Sequence, residues 1–112
     1  MTLSDYQRQS QRTLNVSWPT RDQQANAALG LAGEAGEVAD LIKKWLYHGH
    51  DTDWAKLHEE LGDVLFYVAA IATLYGLNLD DIAQANIDKL KARYPNGFTA
   101  EDSRSRADEA QP

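Results

Sequence analysis

Two long stretches, residues 21–47 and 53–75, carry apolar side chains at steps of three and four, with only a short turn between them. On the first the stripe runs Ala27, Leu31, Val38, Leu41 and Trp45. On the second it runs Leu57, Leu61, Val64, Val68 and Ile71. That period is helical, and no segment alternates for long enough to make a strand. Two helices joined by so short a turn run antiparallel and become neighbours. The chain is thereby limited to an all-α fold built on one helical hairpin. Carboxylates interrupt both stripes, as Glu34-Ala-Gly-Glu37 and Glu60-Leu-Gly-Asp63. Carboxylates placed among core residues repel one another and are poorly solvated, so they need compensation.

The rest of the chain reads as short helices around that hairpin. Residues 3–15 form a first helix, capped by Thr2 or Ser4; its apolar content (Leu3, Tyr6, Leu14) is thin enough to make it peripheral. Trp18-Pro19 ends it, because proline disfavours helical geometry in the residue before it. Thr20 and Gln23 have the spacing of a capping box for the second helix. Gly49 closes that helix, and Asp51 or Thr52 caps the third. Gly76 stops the third helix. Asn78 or Asp80 caps a fourth, which reaches Arg93 with Ile82, Ala85, Ile87 and Leu90 inside. Pro95-Asn96-Gly97 is a turn, and Phe98 packs back as an anchor. Residues 1–98 are then a single helical domain, and 99–112 a polar tail with too little apolar bulk to order itself. Glycines at 30, 33 and 36 each cost the second helix about 1 kcal/mol against alanine. Their use is close approach to the backbone, by another helix or by a ligand.

Composition removes several function classes. Without cysteine there are no disulfides, thiolate metal sites or cysteine nucleophiles. A net charge of −6 opposes non-specific binding to nucleic acid, which needs an excess of cations. No basic patch and long apolar run open the chain, so no signal peptide is expected. Val64–Leu74 is too short to span a bilayer. A soluble cytoplasmic protein with no membrane partner is expected.

Residues three apart share a helix face. Glu34 and Glu37 therefore point one way, Glu60 and Asp63 likewise, and the two pairs can meet across the hairpin. Four carboxylates are hard oxygen ligands that suit Mg²⁺, with Mn²⁺ as the alternative. Ordinary solvated glutamates have the same spacing, but here Leu31, Val38, Leu41, Leu61, Val64 and Tyr67 bracket them. Glu59 stands at the edge of the second pair, as a fifth ligand, a group that orients water, or a solvated residue. A di-iron bundle is excluded by the lack of Glu-x-x-His, and His58 begins no zinc-protease motif. On the fourth helix Asn86, Lys89 and Arg93 fall on one face. They have the chemistry to grip phosphate, or simply to pair with the acids.

The words GLAGEAGEVADLIKK, EELGDVLFYVAAIA and NIDKLKARYPNGF resemble the short branch of the MazG-like, all-alpha nucleoside triphosphate pyrophosphohydrolases. The family pattern is Glu-x-x-Glu, a spacer, then Glu-x-x-Asp. Glu34, Glu37, Glu60 and Asp63 match it, and the resemblance extends over residues 6–98. It implies a four-helix MazG-like bundle completed by oligomerisation, as a homotetramer or else a dimer. It also implies Mg²⁺ on the four acids and hydrolysis between the α and β phosphates of an NTP or dNTP. In that chemistry Glu37 or Glu34 takes a proton from water, and Glu59 is a further candidate. Asn86, Lys89 and Arg93 match the family's phosphate contacts, and Tyr67 a position near the nucleotide. Lys44 either reaches a phosphate or faces water. Asn26, Trp18, Trp45 and Trp54 are the candidates for the base pocket, although Trp45 continues an apolar stripe and Trp54 opens a helix. Two other readings share these residues: a phosphoribosyl-ATP pyrophosphohydrolase-like enzyme, and a catalytically silent helical oligomer that binds partners.

Overall fold

The computed structural model describes residues 1–14, 17–106 and 108–109. Among them the regular elements are helical: α1 (Leu3–Ser10), a 3₁₀ turn (Gln11–Thr13), α2 (Thr20–Tyr47), α3 (Trp54–Leu74), α4 (Leu79–Arg93) and α5 (Ala100–Ser105). They group into two compact units, one comprising Met1–Asn78 and the other beginning at Leu79.

In the first unit α2 and α3 form the expected hairpin. Gly30 faces Tyr67, Glu37 approaches Glu60, and Trp45 meets Trp54. As the residue number rises on one helix it falls on the other, which is antiparallel packing. The turn closes through Gly49, whose φ of 70° is costly for a residue with a Cβ, and the His50 amide donates to the Lys44 carbonyl at 3.2 Å. Asp53 caps α3, its carboxylate accepting from the Lys56 amide at 3.0 Å. Asp53 therefore takes the role assigned from sequence to Asp51 or Thr52.

Other boundaries also differ. Thr20 is the first residue of α2 rather than its cap. Pro19 precedes the helix, with no side-chain capping bond, and Gln23 Nε2 instead donates to the Trp18 carbonyl at 2.7 Å. The first helix is shorter than residues 3–15: α1 ends at Ser10 and tightens into the 3₁₀ turn, and residue 15 lies outside the described residues. Thr2 caps α1 in a reciprocal box with Asp5. Polar side chains moor this helix to α3. Gln7 Nε2 donates to Thr73 Oγ1 and to the Leu77 carbonyl at 3.0 and 2.9 Å, and Gln11 Nε2 to the Phe66 carbonyl at 3.4 Å.

Among the described residues of this unit the buried apolar ones are small. Ala27, Ala69, Ala70 and Ala72 are buried, together with one charged residue, Glu60. Small side chains let the helices approach closely and leave the large ones at the margins. Leu61, placed in the inner stripe from sequence, is 51% exposed. The inner position is its neighbour Glu60, and adjacent residues on a helix face apart. Leu29 and Leu46 are 74% and 69% exposed on α2. Among the described residues no single helix is long and apolar enough to cross a membrane.

The second unit holds α4 and α5. Gly97, at φ 87°, turns the chain after α4, and the Tyr94 and Phe98 rings sit 5.2 Å apart. Phe98 thus touches the Tyr94 ring but is 74% exposed, so it anchors little. Residues 100–105, expected as loose tail, form α5, because Thr99 supplies an N-cap to the Asp102 amide at 3.0 Å. Arg93 then ties α4 to Asp108. The chain thus has five α-helices among the described residues rather than four.

Candidate metal and nucleotide site

Three of the four matched acids converge. Glu34 and Glu37 lie one turn apart on α2, and α3 brings Glu60 against them, so that one carboxylate oxygen from each lies within 4.8 Å of the others. Asp63, one turn beyond Glu60, stands outside that close group. Its negative charge still reaches Glu34 and Glu37 and raises the pKa of each. Glu59 is exposed, with Oε2 4.0 Å from Lys56 Nζ.

Charge compensation at this cluster is incomplete. Glu60 is only 4% exposed. Its Oε1 meets Lys56 Nζ at 3.1 Å, while its Oε2 is buried with no partner among the described residues. Glu34 Oε2 is also buried with no partner. Burial pushes the Glu34 carboxyl above the usual carboxylate range, and the Glu37 charge adds to the effect. The Glu37 carboxyl is raised chiefly by its hydrogen-bonding contact with Glu60, then by the Glu60 charge. Lys56 holds Glu60 below the usual range. A buried acceptor without a donor is costly, and converging anionic oxygens with free lone pairs match the donor set of a hard divalent cation. The residues present therefore fit Mg²⁺ or Mn²⁺. His48, His50 and His58 are exposed and stand outside the cluster.

Two hollows flank the acids along the hairpin. Toward the turn, a cleft of about 320 Å³ is lined by Glu37, Asp40, Leu41, Lys44, Lys56 and Glu60. Lys44 thus lies at the cleft, with Nζ 3.0 Å from Asp40. In the other direction, a pocket of about 220 Å³ gathers Trp18, Gln23, Asn26, Phe66 and Tyr67. Gly30 explains part of its shape, since a Cβ there would overlap the Tyr67 ring. Phe66 packs edge-on against Tyr67, with centroids 5.2 Å apart. Of the three tryptophans, Trp18 is in this pocket. Trp45 and Trp54 stack edge to face on each other at the turn end, 5.7 Å apart.

Asn86, Lys89 and Arg93 belong to the second unit. Asn86 and Lys89 are exposed on α4. Arg93 is engaged: Nε donates to Asp108 Oδ1 at 2.7 Å and a terminal nitrogen to Oδ2 at 2.8 Å, with Glu109 3.6 Å away. The pair raises the Arg93 pKa and lowers that of Asp108.

Sequence reasoning missed Lys56, Gln23 and Phe66. Lys56 had a legible signal, the i, i+4 spacing to Glu60. Gln23 has the spacing of a capping residue, and Phe66 lies inside an apolar run.

The family model described as the MazG nucleotide pyrophosphohydrolase domain matches residues 22–98. The Gene 37 protein of Mycobacterium phage L5 is 40% identical over 76 residues, covering 62% of this chain and 64% of that protein. Human dCTP pyrophosphatase 1 is 32% identical over 111 residues, covering 92% of this chain and 65% of the human protein. Its mouse counterpart is 33% identical over 105 residues, covering 84% and 59%. The chain thus spans less than two thirds of the length of these curated relatives. No solved structure matches it.

Proposed function

The chain belongs to the MazG nucleotide pyrophosphohydrolase family, and from that premise we propose that it hydrolyses the α–β phosphoanhydride of an NTP or dNTP, releasing the monophosphate and pyrophosphate. The observation that carries this reading is the convergence of Glu34, Glu37 and Glu60, with two buried oxygens left without partners. Glu34, Glu37, Glu60 and Asp63 are the residues that would hold Mg²⁺, or Mn²⁺ in its place. A divalent ion bound there polarises phosphate oxygens and lowers the pKa of a coordinated water.

The chain's own groups supply the rest. Glu37 takes the proton of the attacking water. Glu34 is the alternative base, and Glu59, at the rim, orients water or serves as a spare ligand. Lys44 reaches a phosphate from the cleft wall. Asn86, Lys89 and Arg93 hold the leaving pyrophosphate, which requires Arg93 to exchange Asp108 for phosphate oxygens. The base enters the pocket of Trp18, Asn26 and Tyr67, where two aromatic faces offer stacking and the amide offers an edge contact. Because four relatives carry the name dCTP pyrophosphatase 1, dCTP is the first substrate to try, beside dUTP, dTTP and GTP. A nucleoside triphosphate substrate fits a cytoplasmic protein.

Self-association completes the reading. Leu29, Ile42 and Leu46 on α2 and Leu61 and Leu65 on α3 are exposed, a surface suited to a homotetramer or a dimer. Light scattering that finds only a 12.5 kDa species at micromolar concentration overturns this part.

A nucleotide panel with Mg²⁺, scoring pyrophosphate and orthophosphate separately, tests the chemistry. Pyrophosphate as the sole phosphate product is expected. Orthophosphate alone moves the attack to another bond and overturns the assignment.

A further inference from the structure

Lys56 is in the wrong place to help its own helix. It lies in the first turn of α3, which begins at Trp54, where the helix dipole disfavours a cation. Its partner Glu60 follows it by four residues, and Lys before Glu is the weaker order for such a pair. The benefit of this lysine comes from the acids it reaches. Its ammonium lies 3.1 Å from Glu60 Oε1 and 4.0 Å from Glu59 Oε2. The Glu60 side chain is 5% exposed, whereas that of Lys56 is 46% exposed. The lysine therefore reaches in from solvent and can withdraw without opening the core.

A single ammonium is an incomplete filling. Glu60 Oε2, on a residue more than nine-tenths buried, and Glu34 Oε2 keep no partner while Lys56 is in place. A divalent ion brings twice the charge and can bind several oxygens at once. Lys56 also lines the cleft beside the acids. There it differs from Lys44, which is bound to Asp40 at 3.0 Å.

We propose that Lys56 is a resident counterion of the acidic cluster: a divalent metal must displace it from Glu60, and the displaced ammonium then serves the phosphates of the substrate in the cleft. This rests on the metal-site reading above. Two effects of opposite sign follow from one side chain, with Lys56 opposing the metal and assisting the nucleotide.

The test is Mn²⁺ binding to the nucleotide-free protein, followed by electron paramagnetic resonance or calorimetry at low ionic strength. It compares the native chain with Lys56→Met and with Lys43→Met, which removes a charge paired with Asp40 rather than Glu60. Lys56→Met is expected to bind Mn²⁺ about tenfold more tightly, and Lys43→Met within about twofold of the native chain. At saturating metal, Lys56→Met is expected to raise the KM for nucleotide about tenfold. Equal or weaker Mn²⁺ binding by Lys56→Met, with the native chain binding normally, overturns the counterion role and leaves the metal site standing. Absence of Mn²⁺ binding in both proteins overturns the metal site and this inference together. Tighter metal binding with an unchanged KM overturns the role toward phosphate. Should Lys56→Met lose its helical circular dichroism, Lys56→Gln carries the same comparison.

Discussion

Glu60 and Asp108 are buried to nearly the same degree, with side chains 5% and 4% exposed, yet their surroundings are opposite. Asp108 meets a guanidinium through two parallel bonds of 2.7 and 2.8 Å. Both of its oxygens are served, its pKa falls, and the pair fastens Asp108 to α4. Glu60 meets one lysine through one oxygen and faces two more carboxylates. The first site is electrostatically finished and the second is not. A chain able to build the first arrangement had the means to neutralise the second. Incomplete charge pairing around Glu60 supports the proposed metal site, whereas the complete pairing of Asp108 holds residues together without any ligand.

Changes at the two sites should then act on different observables. Replacing Glu37 by glutamine has the largest expected effect. The rate of pyrophosphate release falls by about 10²- to 10³-fold, because the proposed ligand and base is lost. In EDTA the melting temperature moves the other way and rises by on the order of 3 °C, since an amide can donate to Glu60 where a carboxylate repelled it. Parallel loss of activity and stability would erase the distinction between the two sites.

Asp108→Asn comes next. It breaks a two-bond pair and leaves Arg93 half-satisfied, so the melting temperature drops by on the order of 5 °C, read by circular dichroism. Metal affinity stays unchanged. A shift in Mn²⁺ binding would show that the fastening and the acidic cluster are coupled.

The smallest expected effect is on pH dependence, and its sign separates the sites again. Asp108 has a lowered pKa, so its contribution is present above the ordinary value of 3.8 and is lost as pH falls through its own lower value. Glu34 and Glu37 have raised values. Their strain is absent below the ordinary 4.5 and grows as pH rises through those higher values, with Glu60, held down by Lys56, opposing them in part. Metal-free melting temperature should therefore lose the Asp108 contribution as pH falls below 3.8 and the Glu34 and Glu37 contribution as pH rises above 4.5. Mg²⁺ should remove the decline on the alkaline side and leave the acid side untouched. A metal-free curve that is flat above pH 4.5 would contradict the raised carboxyls.

Much of the unfinished site could be read from residue order alone. The three–four spacing of apolar side chains gave α2 and α3, and the short turn between them made the two acid pairs neighbours. The antiparallel register also explains why Asn26, Trp18 and Tyr67, distant in sequence, share a pocket. The fastening was illegible for a physical reason. Arg93 and Asp108 are 15 positions apart in a segment whose composition alone offers nothing to bury, and only the turn at Gly97 and the cap at Thr99 bring them together. Leu61 was misplaced because a glutamate occupies the inner position beside it, and hydrophobic periodicity assigns such a position to the leucine. The close grouping of three acids, with Asp63 set apart, depends on the relative rotation of two helices, which spacing does not specify.

The separation of the tryptophans has an optical consequence. Trp18 stands at the aromatic pocket on one side of the acids, while Trp45 and Trp54 face each other at the hairpin turn on the other. Residues 26 and 45, which mark these two places on α2, are roughly 28 Å apart along the helix axis. Fluorescence therefore samples the molecule at two addresses. With Trp18 replaced by phenylalanine, the remaining emission reports the turn alone. The difference from the native spectrum isolates the pocket, so a nucleotide entering it can be watched without a label and apart from any movement of the hairpin end.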